Sequence, residues 1–362
     1  MSDNPVRFAY VGCGFMGQMV HIPNFAAQPN CRFMALAEPR QELAAKVAAR
    51  YGIPKVYRTH QEIAADPEIE AVGVSSPFVL QSRITEDLLA TGKHVYMEKP
   101  MAVTVKRAQS MLAAAKKGKS RLMVAYMKRY DTGNLLIKSQ IDAWRKNGEM
   151  GKITFARAHG FCGAWTYGID QNIPFEQSKD QPPAMPDEYP DWLPKDWWNN
   201  YIGYLQQYTH NYNLLRWWLG DVEGNVNIKQ VELDEKGHSG VVLAEINGVR
   251  VSIESGSLAN HVWDEQTQVY FEKAWLRGEG ATLMHKETPA KVEIYEGPRD
   301  PHLASGAKIT QHFTPAAWAY REEAKHFLEN VRSGQPFRSS GEDSLHDVRL
   351  FETIYQKFLA QR

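Results

Sequence analysis

The chain has 362 residues, 43% of them hydrophobic, with Lys plus Arg and Asp plus Glu balanced at 42 each. That length exceeds what one compact core supports, and the apolar content fills two, so two domains are expected. The charge balance removes the general electrostatic case for nucleic acid or an anionic membrane surface, and no apolar run is long enough to span a bilayer.

The first stretch is an apolar strand, Val6 to Val11, that runs straight into Gly12-Cys13-Gly14-Phe15-Met16-Gly17 and then a helix opening with Gln18, Met19 and Val20. This strand, G-x-G-x-x-G turn and helix is the order that a dinucleotide pyrophosphate requires. Gly12 permits the tight turn, Gly14 lets backbone approach the phosphates, and Gly17 lets helix and strand pack closely. The second strand, Arg32 to Ala37, ends on Glu38, at the spacing where a carboxylate receives the ribose hydroxyls. Glu38 favours NAD over NADP because it repels a 2′-phosphate; Arg40, two residues on, pulls the other way.

A helix is expected from Arg40 to Tyr51, a short strand at Lys55–Tyr57 and a short helix at Gln61–Ala65. Then come a buried-type strand from Glu70 to Ser75-Ser76-Pro77, a helix near Arg83–Thr91, and a strand His94–Glu98 ending at Lys99-Pro100. A helix Val105–Lys117 and a strand Leu122–Tyr126 complete the alternation. Strands alternating with helices predict a doubly wound parallel sheet, an α/β Rossmann domain over residues 1–126, with ligands beyond the carboxyl ends of the strands. Ser75, Ser76, Pro77, Glu98, Lys99 and Tyr126 all fall at such ends.

Past Met127 the pattern changes. A helix is expected over Leu135–Lys146 and a strand over Ile153–His159. Cys162 to Tyr201 lacks periodicity but is rich in proline and carries Trp165, Trp192, Trp197 and Trp198; it reads either as a substrate-shaping loop or as satellite core. After a helix at Tyr204–Leu219, strands dominate: Val231–Leu233, Val241–Ile246, Val249–Glu254, Thr267–Phe271, Ala274–Arg277 and Lys291–Tyr295. Asn247-Gly248 makes a hairpin of the second and third. Helices Pro315–Arg332, with Thr314 as N-cap and Pro315 at the first position, and Glu342–Leu359 close the chain. Residues 127–362 thus read as an α+β domain with a mainly antiparallel open sheet. Cys13, Cys31 and Cys162 are scattered and odd in number, and the N-terminus lacks the features of a signal peptide, so a cytoplasmic protein is expected. His285, His302 and His312 match no ligand spacing, and no metal is expected.

In this order and spacing, the glycine turn, Ser75-Ser76-Pro77, Gly92 to Pro100 with its Glu98-Lys99-Pro100, and Met127-Lys128-Arg129-Tyr130-Asp131 resemble the Gfo/Idh/MocA family, the glucose–fructose oxidoreductase and inositol dehydrogenase superfamily. Gly148-Glu149-Met150-Gly151 and Gly341-Glu342-Asp343 are weaker matches. The resemblance covers nearly the whole chain. It implies an NAD-dependent oxidoreductase acting on a secondary hydroxyl of a sugar, cyclitol or glycoside, and a homodimer or homotetramer formed through the open face of the second sheet.

The family's E-K-P lysine sits beside the nicotinamide and the reacting hydroxyl, which implies that Lys99 stabilises developing alkoxide charge and takes the proton. Family members commonly carry D-x-x-x-H on a helix; here the histidine is His210 and the aspartate position is Gln206. Glutamine orients an imidazole without stabilising its cation, so Tyr208 or Tyr212 is a candidate to share the proton chemistry. Arg129 and Tyr130 match a run near substrate in inositol dehydrogenase relatives; Arg129 reads either as a ligand for an anionic group, a hydroxyl or the cofactor, or as a structural salt bridge. Tyr126 and Trp165 complete the candidate substrate set. Two alternatives remain open: an NAD-dependent glycosidase that oxidises, eliminates, adds water and re-reduces, and a dinucleotide-binding sensor without turnover.

Overall fold

A computed structural model describes residues 4–163, 166, 175–181, 184, 186, 188–258, 263–298 and 306–362. Trp165 and His302 lie outside the described residues. The chain forms two compact units: the first comprises residues 1–126, the described part of 170–192, and 320–348; the second comprises the remainder. The continuous division 1–126 and 127–362 read from sequence therefore differs from this one, in which two later segments return to the first unit.

The first unit is a parallel sheet in the order β3-β2-β1-β4-β5-β6. Its strands are β1 (Val6–Val11), β2 (Cys31–Ala37), β3 (Lys55–Tyr57), β4 (Ala71–Val74), β5 (His94–Glu98) and β6 (Leu122–Ala125). A π-type turn at Gly17–His21 leads into α1 (Ile22–Ala26), and α2 (Gln41–Tyr51), α3 (His60–Ala65), α4 (Phe78–Ala90) and α5 (Val105–Gly118) make the crossovers. The central strands are largely apolar because helices cover both faces, and Val72, Val74, Val95, Met97 and Val124 are fully buried. Val11 pairs with Ala37 and Val74, Val74 with Met97, and Glu98 with Ala125. The carboxyl ends are thus level, and Gly12, Glu38, Ser75, Lys99 and Tyr126 follow them along one edge.

The second unit holds α6 (Thr132–Asn147), β7 (Ile153–Cys162), α7 (Trp198–Trp218) and seven further strands. These are β8 (Val226–Leu233), β9 (Gly240–Ile246), β10 (Val249–Ser257), β11 (Trp263–Phe271), β12 (Ala274–Glu279), β13 (Lys291–Glu296) and β14 (Lys308–His312). The sheet order is β14-β13-β12-β11-β7-β10-β9-β8, with only β7 and β10 parallel. Asn247 and Gly248 have φ of 49° and 79°, the left-handed pair that a tight hairpin demands. Tyr201, Tyr204, Tyr208 and Tyr212 recur every three or four residues along α7 and are buried. Their partners include Phe351 and Tyr355 of the last helix, α9 (Gly341–Leu359).

Several elements depart from the sequence reading: α4 and β8 start five residues and β11 four residues earlier than expected. The helix expected from Pro315 starts instead at Ala319, as α8 (Ala319–Ser333), so Thr314 is not its N-cap; Thr314 Oγ1 lies 3.0 Å from Thr132 Oγ1. Helix α7 begins six residues before Tyr204, and half-buried Trp197 just ahead of it packs edge-on against Phe358. Strand β14 was not expected; only Thr310 and His312 in it are even half-buried and Ile309 is exposed, so it carries no buried apolar alternation.

Candidate active site

In the first unit the glycine turn is closed on its protein side and open at its tip. Gly12 has φ of 91°, and a Cβ there would lie 2.2 Å from the Ser75 carbonyl oxygen; one at Gly17 would lie 2.6 Å from the Gly12 oxygen. Around Gly14, by contrast, a Cβ would meet nothing within 4 Å. Gly14, Phe15 and Met16 are half-buried, and Ser75, Ser76 and Pro77 flank the turn from the end of β4. An open glycine at the head of a helix is a cradle that fits a pyrophosphate.

Glu38 is buried at the end of β2 and ties the two halves of this edge together. Its Oε2 accepts from the Cys13 N–H at 3.0 Å and from Arg40 Nη2 at 3.0 Å; its Oε1 accepts from Arg40 Nε at 2.7 Å and the Arg40 N–H at 3.2 Å. Burial works against the charge, but the Arg40 fork and these backbone donors outweigh it and hold the carboxyl below its ordinary value. The carboxylate and arginine that the sequence sets against each other are therefore one bidentate pair.

Lys99 follows β5 and is half-buried, its ammonium pushed down in pKa by burial while Glu98 opposes the shift. The Lys99–Pro100 peptide bond is cis. Gln81 of α4 fastens this turn by donating from Nε2 to the Glu98 oxygen at 2.8 Å and the Pro100 oxygen at 3.2 Å. Tyr126 is buried just beyond β6. Sequence reasoning missed Gln81, and it missed Gln18, whose side chain donates to the Cys13 and Glu176 oxygens at 2.8 and 3.0 Å and accepts from the Glu176 N–H at 2.8 Å. Phe175 meets the Phe15 ring of the glycine turn, and Arg50 pairs with Glu176, so this distant segment is pinned to the nucleotide edge.

In the second unit His210 is buried on α7, and Gln206 is exposed one turn before it on the same face. Tyr208 is not part of that face. Two residues apart on a helix point in nearly opposite directions, and the Tyr208 hydroxyl lies 3.3 Å from His238 Nδ1. Tyr212 is likewise turned away, its hydroxyl 2.9 Å from that of Tyr204. Neither tyrosine thus shares the helix face of Gln206 and His210.

Arg129 is buried and grips α7: its Nε donates to Asn213 Oδ1 at 2.6 Å and its Nη2 to the Asn213 oxygen at 3.2 Å. Neighbouring Lys128 pairs with Glu265, which also accepts from Asn211 at 3.1 Å. The Met127–Asp131 run thus ties down the helix residues just after the histidine, Asn213 directly and Asn211 through Glu265. Tyr130 is buried beside them. His285 lines a cavity of this unit with Lys128, Asp131 and Trp318, and no group of three His, Cys, Asp or Glu among the described residues is arranged to hold a metal ion.

A level parallel sheet whose first strand ends in an open glycine turn has the architecture of a dinucleotide-binding unit. Residues 6–126 match the model of an oxidoreductase family with an NAD-binding Rossmann fold. The Rossmann unit of the chain is thus of the Gfo/Idh/MocA type, and the chain as a whole is similar to dehydrogenases. It is 24% identical to the inositol 2-dehydrogenase of Rhizobium meliloti, over 99% of this chain and 98% of that one. It is 24% identical to the myo-inositol 2-dehydrogenase of Thermotoga maritima, over 93% and 92% respectively. In fold it is similar to a 3-ketoreductase from Actinomadura kijaniata in complex with NADP, with a TM-score of 0.70 and 19% identity over 98% of both chains. Among the described residues no helix is long and apolar enough to cross a membrane.

Proposed function

We propose that this oxidoreductase uses NAD to oxidise a secondary hydroxyl of a sugar, cyclitol or glycoside, or runs the reverse reduction. The observation that carries the reading is Lys99: a half-buried ammonium with lowered proton affinity, on the same strand edge as the glycine cradle. Gly12, Gly14, Phe15, Met16 and Gly17 would receive the pyrophosphate, Glu38 and Arg40 the adenosine ribose, and Ser75, Ser76 and Pro77 the adjoining face. When bound, the nicotinamide supplies the hydride acceptor. Lys99 hydrogen-bonds the carbinol oxygen, takes its proton as the C–H bond breaks, and stabilises the charge that develops there. The products are a ketone, the reduced dinucleotide and one proton. A lowered lysine pKa puts the neutral, proton-accepting amine within reach at a lower pH than an ordinary lysine allows.

His210 is the second proton-handling group, with Gln206 on its face in place of an acid; Arg129 positions the helix that carries it. The names of the similar dehydrogenases support a polyhydroxylated ring as substrate, and homo-oligomerisation through the second sheet remains part of the proposal. For NAD over NADP, the support is the buried, ionised Glu38. Incubation with NAD and a panel of inositols, free sugars and aryl glycosides tests the reading. The expected result is one reduced dinucleotide per oxidised substrate with glycosidic bonds intact. Aglycone released over many turnovers without net reduction would replace it with the hydrolytic cycle, and tight binding without turnover on the whole panel with a sensor.

A further inference from the structure

The first unit buries more acid than the nucleotide edge uses. Glu323, on α8, is 0% exposed; its Oε1 lies 2.5 Å from the Tyr96 hydroxyl and its Oε2 has no hydrogen-bond partner among the described residues. The Tyr96 hydroxyl is 3.1 Å from His21 Nδ1, and His21 Nε2 is 2.7 Å from Glu98 Oε1. Glu98 Oε2 accepts from the Lys99 N–H at 3.0 Å. Tyr96 is 0%, His21 1% and Glu98 7% exposed, so water has little part in the chain.

The donors can be ordered by following the protons. Glu98 accepts at Oε2, and a carboxylate at its Oε1 requires the imidazole proton on Nε2. A neutral imidazole then offers a bare Nδ1, which takes the Tyr96 O–H. With that hydrogen spent, Tyr96 presents only lone pairs to Glu323, and the short contact between them needs the proton on Glu323. The opposite order makes His21 an imidazolium and Glu323 a carboxylate with one oxygen bare in a dry site, which costs far more than a neutral acid there. The ionisable groups that bear on Glu323 are Glu98, Tyr96, Tyr10 and Tyr320. Burial first, and then Glu98, push its carboxyl well above the ordinary range.

We propose that Glu323, Tyr96 and His21 form a positioning relay for Lys99: Glu323 as a neutral acid donates to Tyr96, Tyr96 to His21 Nδ1, and His21 Nε2–H clamps the Glu98 carboxylate whose charge bears on the Lys99 ammonium. The relay rests on reading Lys99 as the proton-transfer group, and it adds residues from the glycine helix and from α8, some 300 positions apart in the chain, to the reach of that lysine.

Two measurements on the full-length, NAD-loaded protein test it. Nitrogen NMR of His21 in the wild type is expected to show the single Nε2–H tautomer; an imidazolium, or a proton on Nδ1 alone, overturns the relay whether or not the enzyme turns over. In the pH profile of kcat/KM, Tyr96→Phe is expected to move the limb assigned to Lys99 by about one unit, a tenfold change in the reactive form, with KM for NAD unchanged. Glu323→Leu moves it in the same direction, and Glu323→Gln, whose amide N–H donates where the acid did, superimposes on the wild type. A folded Tyr96→Phe that leaves the limb in place, or a Glu323→Gln that shifts it as far as Glu323→Leu, refutes the relay.

Discussion

The sharpest perturbation of the nucleotide edge is Glu38→Gln. The substitution keeps a carbonyl oxygen for the buried Cys13 N–H, so it avoids stranding that donor, a loss that would itself cost about 1–3 kcal/mol. It removes the charge that opposes a 2′-phosphate and breaks the two-pronged grip on Arg40. Two unit charges about 4 Å apart near a protein surface interact by roughly 4 kcal/mol, and Arg40, paired with the carboxylate, offsets on the order of half of that. A net change of about 2 kcal/mol corresponds to roughly a thirtyfold gain for NADPH relative to NADH. Fluorescence titration of both reduced dinucleotides into wild type and variant reads it directly. A ratio that does not move in a folded variant, or a wild type that already prefers NADPH, would refute the assignment of Glu38 to the adenosine ribose.

The same carboxyl makes a stability prediction. Its pKa is depressed in the folded state, so its contribution is fully present above the unfolded value of about 4.3 and is lost as pH falls through the folded value. The stability difference between wild type and Glu38→Gln should therefore shrink on acidification below that range in denaturant titrations; a difference that grows would contradict the pairing. Gly12→Ala forces a Cβ to 2.2 Å from the Ser75 oxygen at a positive φ, and should abolish NADH binding or lower the melting temperature, whichever yields first. Tyr208→Phe should leave turnover within about twofold and cost on the order of 1 kcal/mol through the lost His238 contact, as calorimetry would show. Gln206→Asp restores a carboxylate one turn before His210 and should shift the pH–rate profile; an unmoved profile would mean that the two side chains do not communicate.

Elements with their own periodicity were legible from the residues alone. The strands Lys55–Tyr57 and His94–Glu98 have the bounds that the apolar runs mark, and the glycine turn with Glu38 follows from local sterics and spacing. What the sequence hid is non-local. Glu176 belongs with Gln18 and Arg50, and Glu188 with Arg83 and Arg107, so the aperiodic stretch returns to the first unit through hydrogen bonds and ion pairs that leave no local pattern. Glu323 sits in an ordinary amphipathic helix, and nothing near it in sequence announces a partner at Tyr96. For Tyr208 the reason is different: closeness in sequence to His210 suggests closeness in space, whereas the helical period puts it on the face of Tyr204, with its ring against His238.

The account stands on Lys99, and one comparison addresses it: single-turnover oxidation of an accepted inositol or sugar by NAD-loaded wild type and Lys99→Ala, with NADH affinity measured on the same samples. The expected result is unchanged folding and dinucleotide affinity with a rate about 10²–10⁴-fold lower, and a wild-type profile whose activity rises with pH through a value below that of an ordinary lysine. Wild-type turnover retained by Lys99→Ala would contradict it.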